Sequence, residues 1–450
     1  MAVTSHGKGT GGRLPRGPHQ LSPEQVDADQ RRRLIEAMLV EVAEHGYAAG
    51  SVAGLIERAG VSRKTFYARY SSREELLLAA LEQSSSTTLE LMAEATRLTG
   101  GGTRRLESAM RRLCSRAQES PGAIELATID VAAANPAGLV RRQELMEAYG
   151  GLLDQSLASK DGKPGLPPAL RPLLAGAVLR TIDAHLRTGR VRELSAVAPE
   201  LARWVRSCHP APDSLGERAN TLGAWPAGNG HVGGRAPGTL TLAPPGYTLP
   251  PGKRSRGHLA HIQRERIVDA VARLTAEQGY PALSALSIAT AADVPERAFL
   301  AQFAGRDEAF AAACEIGHAK GQAIVARARE SAPTWREGVS GAVTGLLDFL
   351  ASEPLFTRMA FIDAPLAGPA MARRTCEQAA AYARLLLDGA PQRRRPPALA
   401  PQAIVNSLFE LAFTHAADGR TEQLPASGEY ATYLALAPFL GVTEAARSAG

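Results

Sequence analysis

The stretch "HGYAAGS" at 45–51 returns as "QGYPALS" at 278–284, an offset of 233 residues. That one offset, with no gap, sets Val61 over Val294, Phe66 over Phe299, Arg73 over Arg306 and Glu75 over Glu308. It still holds at Ile129-Asp130 over Ile362-Asp363, Pro136 over Pro369 and Ala148-Tyr149 over Ala381-Tyr382. Chance matches between alanines would not keep a single register from residue 45 to residue 149. The chain therefore reads as an internal duplication, and its period is far too long for a solenoid. Whatever unit it folds into, it folds into twice.

Composition narrows the choice of unit. A length of 450 residues calls for two to four domains. Aromatic residues make up only 5% and alanine is abundant, which favours helices packed through small side chains. The cysteines (Cys114, Cys208, Cys314, Cys376) are scattered, with no CxxC pair. That spacing argues against a zinc site or a disulfide framework and for a reducing compartment. The N-terminus lacks a secretory apolar region, and no run of about 18 apolar residues occurs. The expectation is a cytoplasmic, helical protein with no membrane span, metal or cofactor. A net charge of +6 and a pI near 9.3 lean slightly toward a polyanionic partner.

Residues 1–26 are rich in Gly, Pro, His and scattered cations and read as a disordered tail. Residues 207–257, with "GAWPAGNGHVGGRAPGTLTLAPPGYTLPPGKRSRG", read as a Pro/Gly-rich disordered linker. Two helical blocks remain. The first opens with Leu34, Ile35, Met38, Leu39 and Val42 in one apolar stripe, closed by Gly46. Ser51 is placed to cap a short helix carrying Val52, Leu55, Ile56 and Ala59. Gly60 suits a tight left-handed turn and Ser62 a second cap. Ser72 with Glu75 three residues on reads as a capping box for a longer helix through Leu76, Leu77, Ala80 and Leu81. Short helix, glycine turn, short helix: this is a helix-turn-helix.

The third helix, in "VSRKTFYARY" at 61–70, is both basic and aromatic. Phe66 and Tyr70 are four apart and share a face that can anchor it to the first helix. Arg63, Lys64 and Thr65 lie in its first turn on the other side, the part of a recognition helix that reaches base edges in the major groove. Arg and Lys suit the paired acceptors of guanine, and Thr suits a thymine methyl or a base edge. Tyr67 and Arg69, one turn on, suit phosphates, and Ser51 and Arg73, at helix starts, suit backbone contacts.

The stretch "GYAAGSVAGLIERAGVSRKTFYARYSSREELLLAAL" resembles the DNA-binding domain of the tetracycline-repressor-like family of bacterial one-component regulators. The resemblance implies an all-α chain of two repeated units, each a three-helix DNA-binding lobe followed by a helical effector and dimerisation domain. On that reading the lobes span 27–82 and 258–315 and the larger domains 83–206 and 316–446. Carried over, Ser62, Arg63, Lys64, Thr65, Tyr67 and Arg69 take the recognition-helix roles. Lys64 stands where the family often has glycine, and Arg73 replaces the usual lysine. The implied partners are a double-stranded DNA operator, a small hydrophobic effector and a pairing surface on the last helices.

The second copy keeps the core and loses the reading face. In "VPERAFLAQF" (294–303) Phe299 and Phe303 survive, but Glu296 replaces Arg63, Ala298 Thr65, Leu300 Tyr67 and Gln302 Arg69. Residues 31–75 hold 8 basic and 6 acidic side chains, whereas 264–308 hold 5 and 7. A net-acidic module neutralises phosphate poorly, so this copy is expected to fold yet bind DNA weakly at best. Its candidate contacts are Arg297, Gln302 and Arg306. The basic Lys253, Arg254 and Arg256 before it read as a linker end or a compensating arm.

Helices about 168–187 (Leu174, Val178, Ile182, Leu186) with 192–206, and 401–417 (Ile404, Leu408, Leu411) with 429–440, are the candidate pairing elements. They leave two arrangements open: an intramolecular pseudo-dimer, or a homodimer through the first block with the second as an extra sensor. A linker of roughly fifty residues spans about 40 Å, similar to the ~34–36 Å between paired reading heads. Candidate effector-lining residues are Leu91, Met92, Met110, Leu113 and Ile124, then Trp335, Leu346, Phe349, Phe356, Met359 and Phe361. Nothing reads as an enzyme: His258 and His261 suit a solvated helix start better than a metal, and "GKGTGG" (7–12) has the wrong order for a phosphate loop.

Overall fold

The structure, a computed structural model, describes residues 22–98, 100–134, 136–158, 165–211, 215, 256–391 and 395–449. Most of the expected tail (1–26) and linker (207–257) therefore lies outside the described residues. Among the described residues every regular element is a helix. The first half runs α1 (Pro23–His45), α2 (Val52–Ala59), α3 (Arg63–Tyr67), α4 (Arg73–Thr96), α5 (Gly102–Glu119), α6 (Pro121–Thr128), α7 (Ala137–Leu157), α8 (Leu170–Arg187) and α9 (Leu194–Ser207). The second runs α10 (Arg256–Gln278), α11 (Ala285–Ala291), α12 (Glu296–Leu300), α13 (Arg306–Ser331), α14 (Trp335–Ser352), α15 (Pro354–Arg358), α16 (Ala364–Leu366), α17 (Pro369–Leu387), α18 (Ala400–Ala417), α19 (Gly428–Leu440) and α20 (Val442–Ala449). A single π-helical turn, Met359–Asp363, joins α15 to α16. The bounds of α1 and α10, α3 and α12, and α5 and α14 differ by 233 at both ends, and those of α8 and α18 by 230.

Local chemistry sets the boundaries. Helix α1 begins at Pro23, four residues before the sequence-based limit, because Ser22 and Gln25 cap one another. The Gln25 N–H donates to Ser22 Oγ (3.2 Å) and the Ser22 N–H to Gln25 Oε1 (2.8 Å). At α4 the reciprocal bond falls one residue earlier than the spacing suggests. Ser72 Oγ caps the Glu75 N–H (3.1 Å), but Glu75 Oε2 accepts from the N–H (2.6 Å) and the hydroxyl (2.7 Å) of Ser71. Behind these caps the α1 stripe of Leu34, Met38 and Val42 is buried with Leu55, Phe66 and Leu76, forming the lobe's core.

Farther along, α8 and α18 lie against each other, and from Pro172 to Leu186 every α8 residue is buried. Their contact holds a buried ionic cluster. Arg142 of α7 donates to both Glu410 carboxylate oxygens at 2.7 Å, and Arg180 Nε donates to Oε2 at 2.7 Å. Burial opposes ionisation of Glu410, but the two guanidiniums hold its carboxyl down at about 2. Such a cluster adds little net stability against an apolar equivalent, whereas losing one partner costs about 3–5 kcal/mol. Asn406 Nδ2 donates to Thr181 Oγ1 (2.9 Å), and Tyr433 donates to the Cys208 carbonyl (2.9 Å).

The turn after α2 is closed by two bonds, Gly60 N–H to Glu57 O (3.1 Å) and Val61 N–H to Ile56 O (3.2 Å), with Gly60 left-handed at φ 62°. The same bonds recur from Asp293 to Thr290 (3.1 Å) and from Val294 to Ala289 (3.0 Å), but Asp293 occupies that conformation at φ 53°. A side chain there crowds the following carbonyl. We expect Asp293→Gly to stabilise the second lobe by about 1 kcal/mol, read as slower amide exchange over 264–303, and Gly60→Ala to destabilise the first by a similar amount.

Candidate DNA-binding site

Helix α3 is five residues long and depends on its cap and its buried rings. Ser62 Oγ accepts from the Thr65 N–H (3.0 Å) and shares a hydrogen bond with Thr65 Oγ1 (2.8 Å). Phe66 and Tyr70 face inward, 0% and 5% exposed, with ring centroids 6.1 Å apart. The other side is left to solvent: Arg63, Lys64 and Tyr67 are exposed, Tyr67 by 47%. The Arg63 guanidinium lies 5.5 Å from the Tyr67 ring centroid, which groups a cation and a flat aromatic surface on one outward patch. Thr65 is half-buried and its hydroxyl is engaged by Ser62, so its methyl is the part left for a base.

Three expected contact residues are engaged within the lobe. Arg69 is folded back, donating to the Thr65 carbonyl (3.0 Å) and pairing with Asp27 of α1. Arg73 turns inward rather than toward a phosphate: it donates to the Tyr47 carbonyl, and its guanidinium sits 3.9 Å from the Tyr47 ring centroid. Ser51 spends its side chain on capping α2, accepting from the Gly54 N–H at 3.1 Å. All three bond within the lobe, with partners that spacing along the chain could not show to lie within reach.

The equivalent face of the second lobe is built alike and furnished differently. Pro295 stands at the cap position and supplies no side-chain acceptor. Glu296 and Arg297 are exposed, and Leu300 is 52% exposed where the first lobe presents Tyr67. Leu286, on α11, adds a second exposed apolar side chain at 61%. Arg306 repeats the inward role of Arg73, donating to the Pro281 (3.1 Å) and Leu283 (2.8 Å) carbonyls beside the Tyr280 ring. Gln302 is half-buried. Of the three candidates for weak contact, Arg297 has the freest side chain.

A connection that the sequence analysis did not anticipate ties the first lobe to the body. Asp130, after α6, accepts from the Tyr47 N–H through Oδ1 (3.0 Å) and from Arg187 of α8 through Oδ2 (2.9 Å). Arg187 also donates to both Asp183 oxygens at 2.9 Å. This chain of bonds runs from the end of α8 to the turn that follows α1. The second half keeps the acid and lacks the arginine: Asp363 is buried, with Arg358 at 3.7 Å, and Ala417 stands at the position of Arg187. Burial, opposed by Arg358, pushes the Asp363 carboxyl up to about 7. The repeat of Ile129-Asp130 as Ile362-Asp363 was a legible sign that the acid mattered, but nothing local pointed to residue 187.

Among the described residues, no helix is long and apolar enough to cross a membrane, and no group of three or more His, Cys, Asp or Glu side chains could hold a metal. Residues 34–80 match the family model for bacterial regulatory proteins of the tetR family. The matched segment runs from Leu34 in α1 to Ala80 in α4, the lobe that carries the exposed α3 turn, and it supports a regulator of that family. Similar solved structures include the transcriptional regulator FadR from Bacillus subtilis in complex with stearoyl-CoA, 19% identical over 39% of this chain and 96% of that one, TM-score 0.35. Another is a TetR family transcription regulator from Marinobacter aquaeolei, 23% identical over 40% and 96%, TM-score 0.33. A third is the TetR family regulator PfmR from Thermus thermophilus, 19% identical over 39% and 94%, TM-score 0.34. No curated protein matches the chain.

Glu125 lies buried beside this connection, and burial, with Asp183 and Asp130 adding to it against Arg187, pushes its carboxyl from 4.5 to about 8. The folded chain thus holds that proton to a higher pH than the unfolded chain does. Its contribution to stability is complete below pH 4.5 and is lost as pH rises toward 8. Glu125→Gln is expected to flatten this decline, so that thermal midpoints of the variant and the parent agree near pH 4.5 and separate, variant higher, by pH 8.

Proposed function

We propose that the chain is a DNA-binding transcriptional regulator, acting as a repressor that a small hydrophobic effector relieves. The observation that carries this reading is the outward cationic turn of α3, Arg63 and Lys64, held by the buried Phe66 and Tyr70 within the matched segment. A guanidinium and an ammonium at the start of a recognition helix suit guanine edges, and a neighbouring phenol suits a phosphate. The first lobe is the reading head. The second, with Glu296 and Leu300 outward, is a degenerate head that contributes little affinity.

The two halves act as an intramolecular pseudo-dimer, a reading supported by the α8–α18 contact and by the buried bonds that join Arg142 and Arg180 to Glu410. Tethering raises the effective concentration of the two partners to about millimolar. The effector reading rests on the helices behind the lobes. Met92, Met110, Leu113 and Ile124 are buried in the first half, and Leu346, Phe349, Phe356, Met359 and Phe361 in the second; Leu91 and Trp335 are half-buried. In the second half the rings of Phe356, Phe361, Tyr382 and Phe409 stand 5.4–6.3 Å from that of His318, whose Nδ1 has no hydrogen-bond partner. Burial lowers the His318 pKa to about 4, so the ring is neutral and offers an effector one polar anchor in an apolar surround.

Selection of binding sites from random duplexes tests the reading head. The parent should enrich an asymmetric site, strong at one half and weak at the other. Arg63→Ala and Lys64→Ala are each expected to weaken that site by about 1–3 kcal/mol if they reach bases, and to lower the salt slope by about 1 if they reach phosphates. Unchanged enrichment in the double variant would place the reading head elsewhere.

A further inference from the structure

We infer that the α8–α18 surface carries a charge code that makes the first half pair with the second half and rejects pairing of like halves. The inference rests on the pseudo-dimer reading and adds partner choice to it. Equivalent positions in the two helices differ by 230, and the turns that follow them establish this independently. His185 Nδ1 lies 2.8 Å from the Thr181 carbonyl and His415 Nδ1 3.0 Å from that of Leu411. The Arg190 and Arg420 N–H groups return to the His185 and His415 carbonyls at 2.8 Å each, past Gly189 and Gly419, both at positive φ.

On that register Arg180 and Glu410 occupy the same place in their own helices, and they meet each other at 2.7 Å. Equivalent residues that touch mark the local two-fold axis of the pair. Two copies of the first half, joined the same way, would bring Arg180 against Arg180 with Arg142 from each side, four guanidiniums with no carboxylate between them; the nearby Asp183 is already held by Arg187. Two copies of the second half would bury Glu410 against Glu410. Shape repeats the message. Gly176 faces Glu410, and a Cβ there would lie 2.4 Å from the glutamate Cγ and Cδ. Its counterpart is Asn406, whose side chain needs room that Gly176 leaves free and donates to Thr181 Oγ1. A notch on one helix and a carboxylate on the other therefore fit only across the unlike pair.

Buried like charges are rejected far more strongly than buried opposite charges are rewarded, so selectivity rather than stability is the expected result. The experiment uses full chains and sedimentation at 1–50 µM, on the order of typical working concentrations and far below the tethered value. The parent is read first: a single-chain mass of 47.4 kDa upholds the pseudo-dimer, and a two-chain mass defeats that reading without touching the code. Glu410→Arg should lose the compact single-chain form. Restoring the composition of the cluster in one chain, Arg180→Glu with Glu410→Arg, should recover it, which keeps the test decisive even where the single variant unfolds. Mixing Glu410→Arg chains with chains carrying Arg142→Gln and Arg180→Glu should give a 1:1 complex that neither forms alone. A Glu410→Arg chain as compact as the parent, a swap that restores nothing, or mixed chains that ignore each other would each overturn the inference.

Discussion

A buried carboxylate between two guanidiniums sits where the two halves of this chain meet, and the geometry of the rest is referred to it. Glu410 accepts from Arg142 and Arg180, whose guanidiniums also lie 4.1 and 5.1 Å from the Phe413 ring centroid. Removing an ion from water is costly, and here the cost is offset by short, well-aligned bonds rather than by solvent. The arrangement tolerates little sliding, since a helix moved by one residue would strand a charge among leucines. Helices α8 and α18, buried along almost their whole length, therefore act as a common spine on which each half hangs its remaining helices.

Connection from that spine to the lobes is where the halves part company. In the first, Arg187 and Asp130 link the end of α8 to the Tyr47 amide, and Arg73 brackets the same turn from the other side. Charge-assisted bonds therefore join the end of α8 to the turn after α1. In the second, Asp363 has no arginine from the spine, and the turn at Tyr280 is held by Arg306 and by the tyrosine's own bond to Asp307 (2.7 Å). On the proposed reading this difference matches the outward faces: the half wired to the spine is the half whose recognition turn is cationic.

The two lobes share a frame and differ in the side chains they turn to solvent. Phe299 and Phe303 preserve the anchoring rings, and the turn keeps its two closing hydrogen bonds even with Asp293 in place of glycine. The second lobe differs from the first at side chains outside the core: Glu296, Ala298 and Leu300. Burial constrains residue type at the anchors, whereas solvent-facing positions on a small helical lobe are free to change without loss of fold.

Much of this was readable before any coordinates. Apolar spacing, serine caps, the turn glycine and the anchoring pair Phe66 and Tyr70 are local facts, decided within four residues of each other, so one-dimensional order determined the helical lobe and the outward place of Arg63 and Lys64. Tertiary structure alone decided the rest. Which arginines are engaged within the protein (Arg69 on Asp27, Arg73 on Tyr47, Arg142 and Arg180 on Glu410) depends on partners 26 to 268 residues away. Spacing along a chain encodes which face a side chain shares with its near neighbours; it carries no record of the distant surface that folding brings against that face.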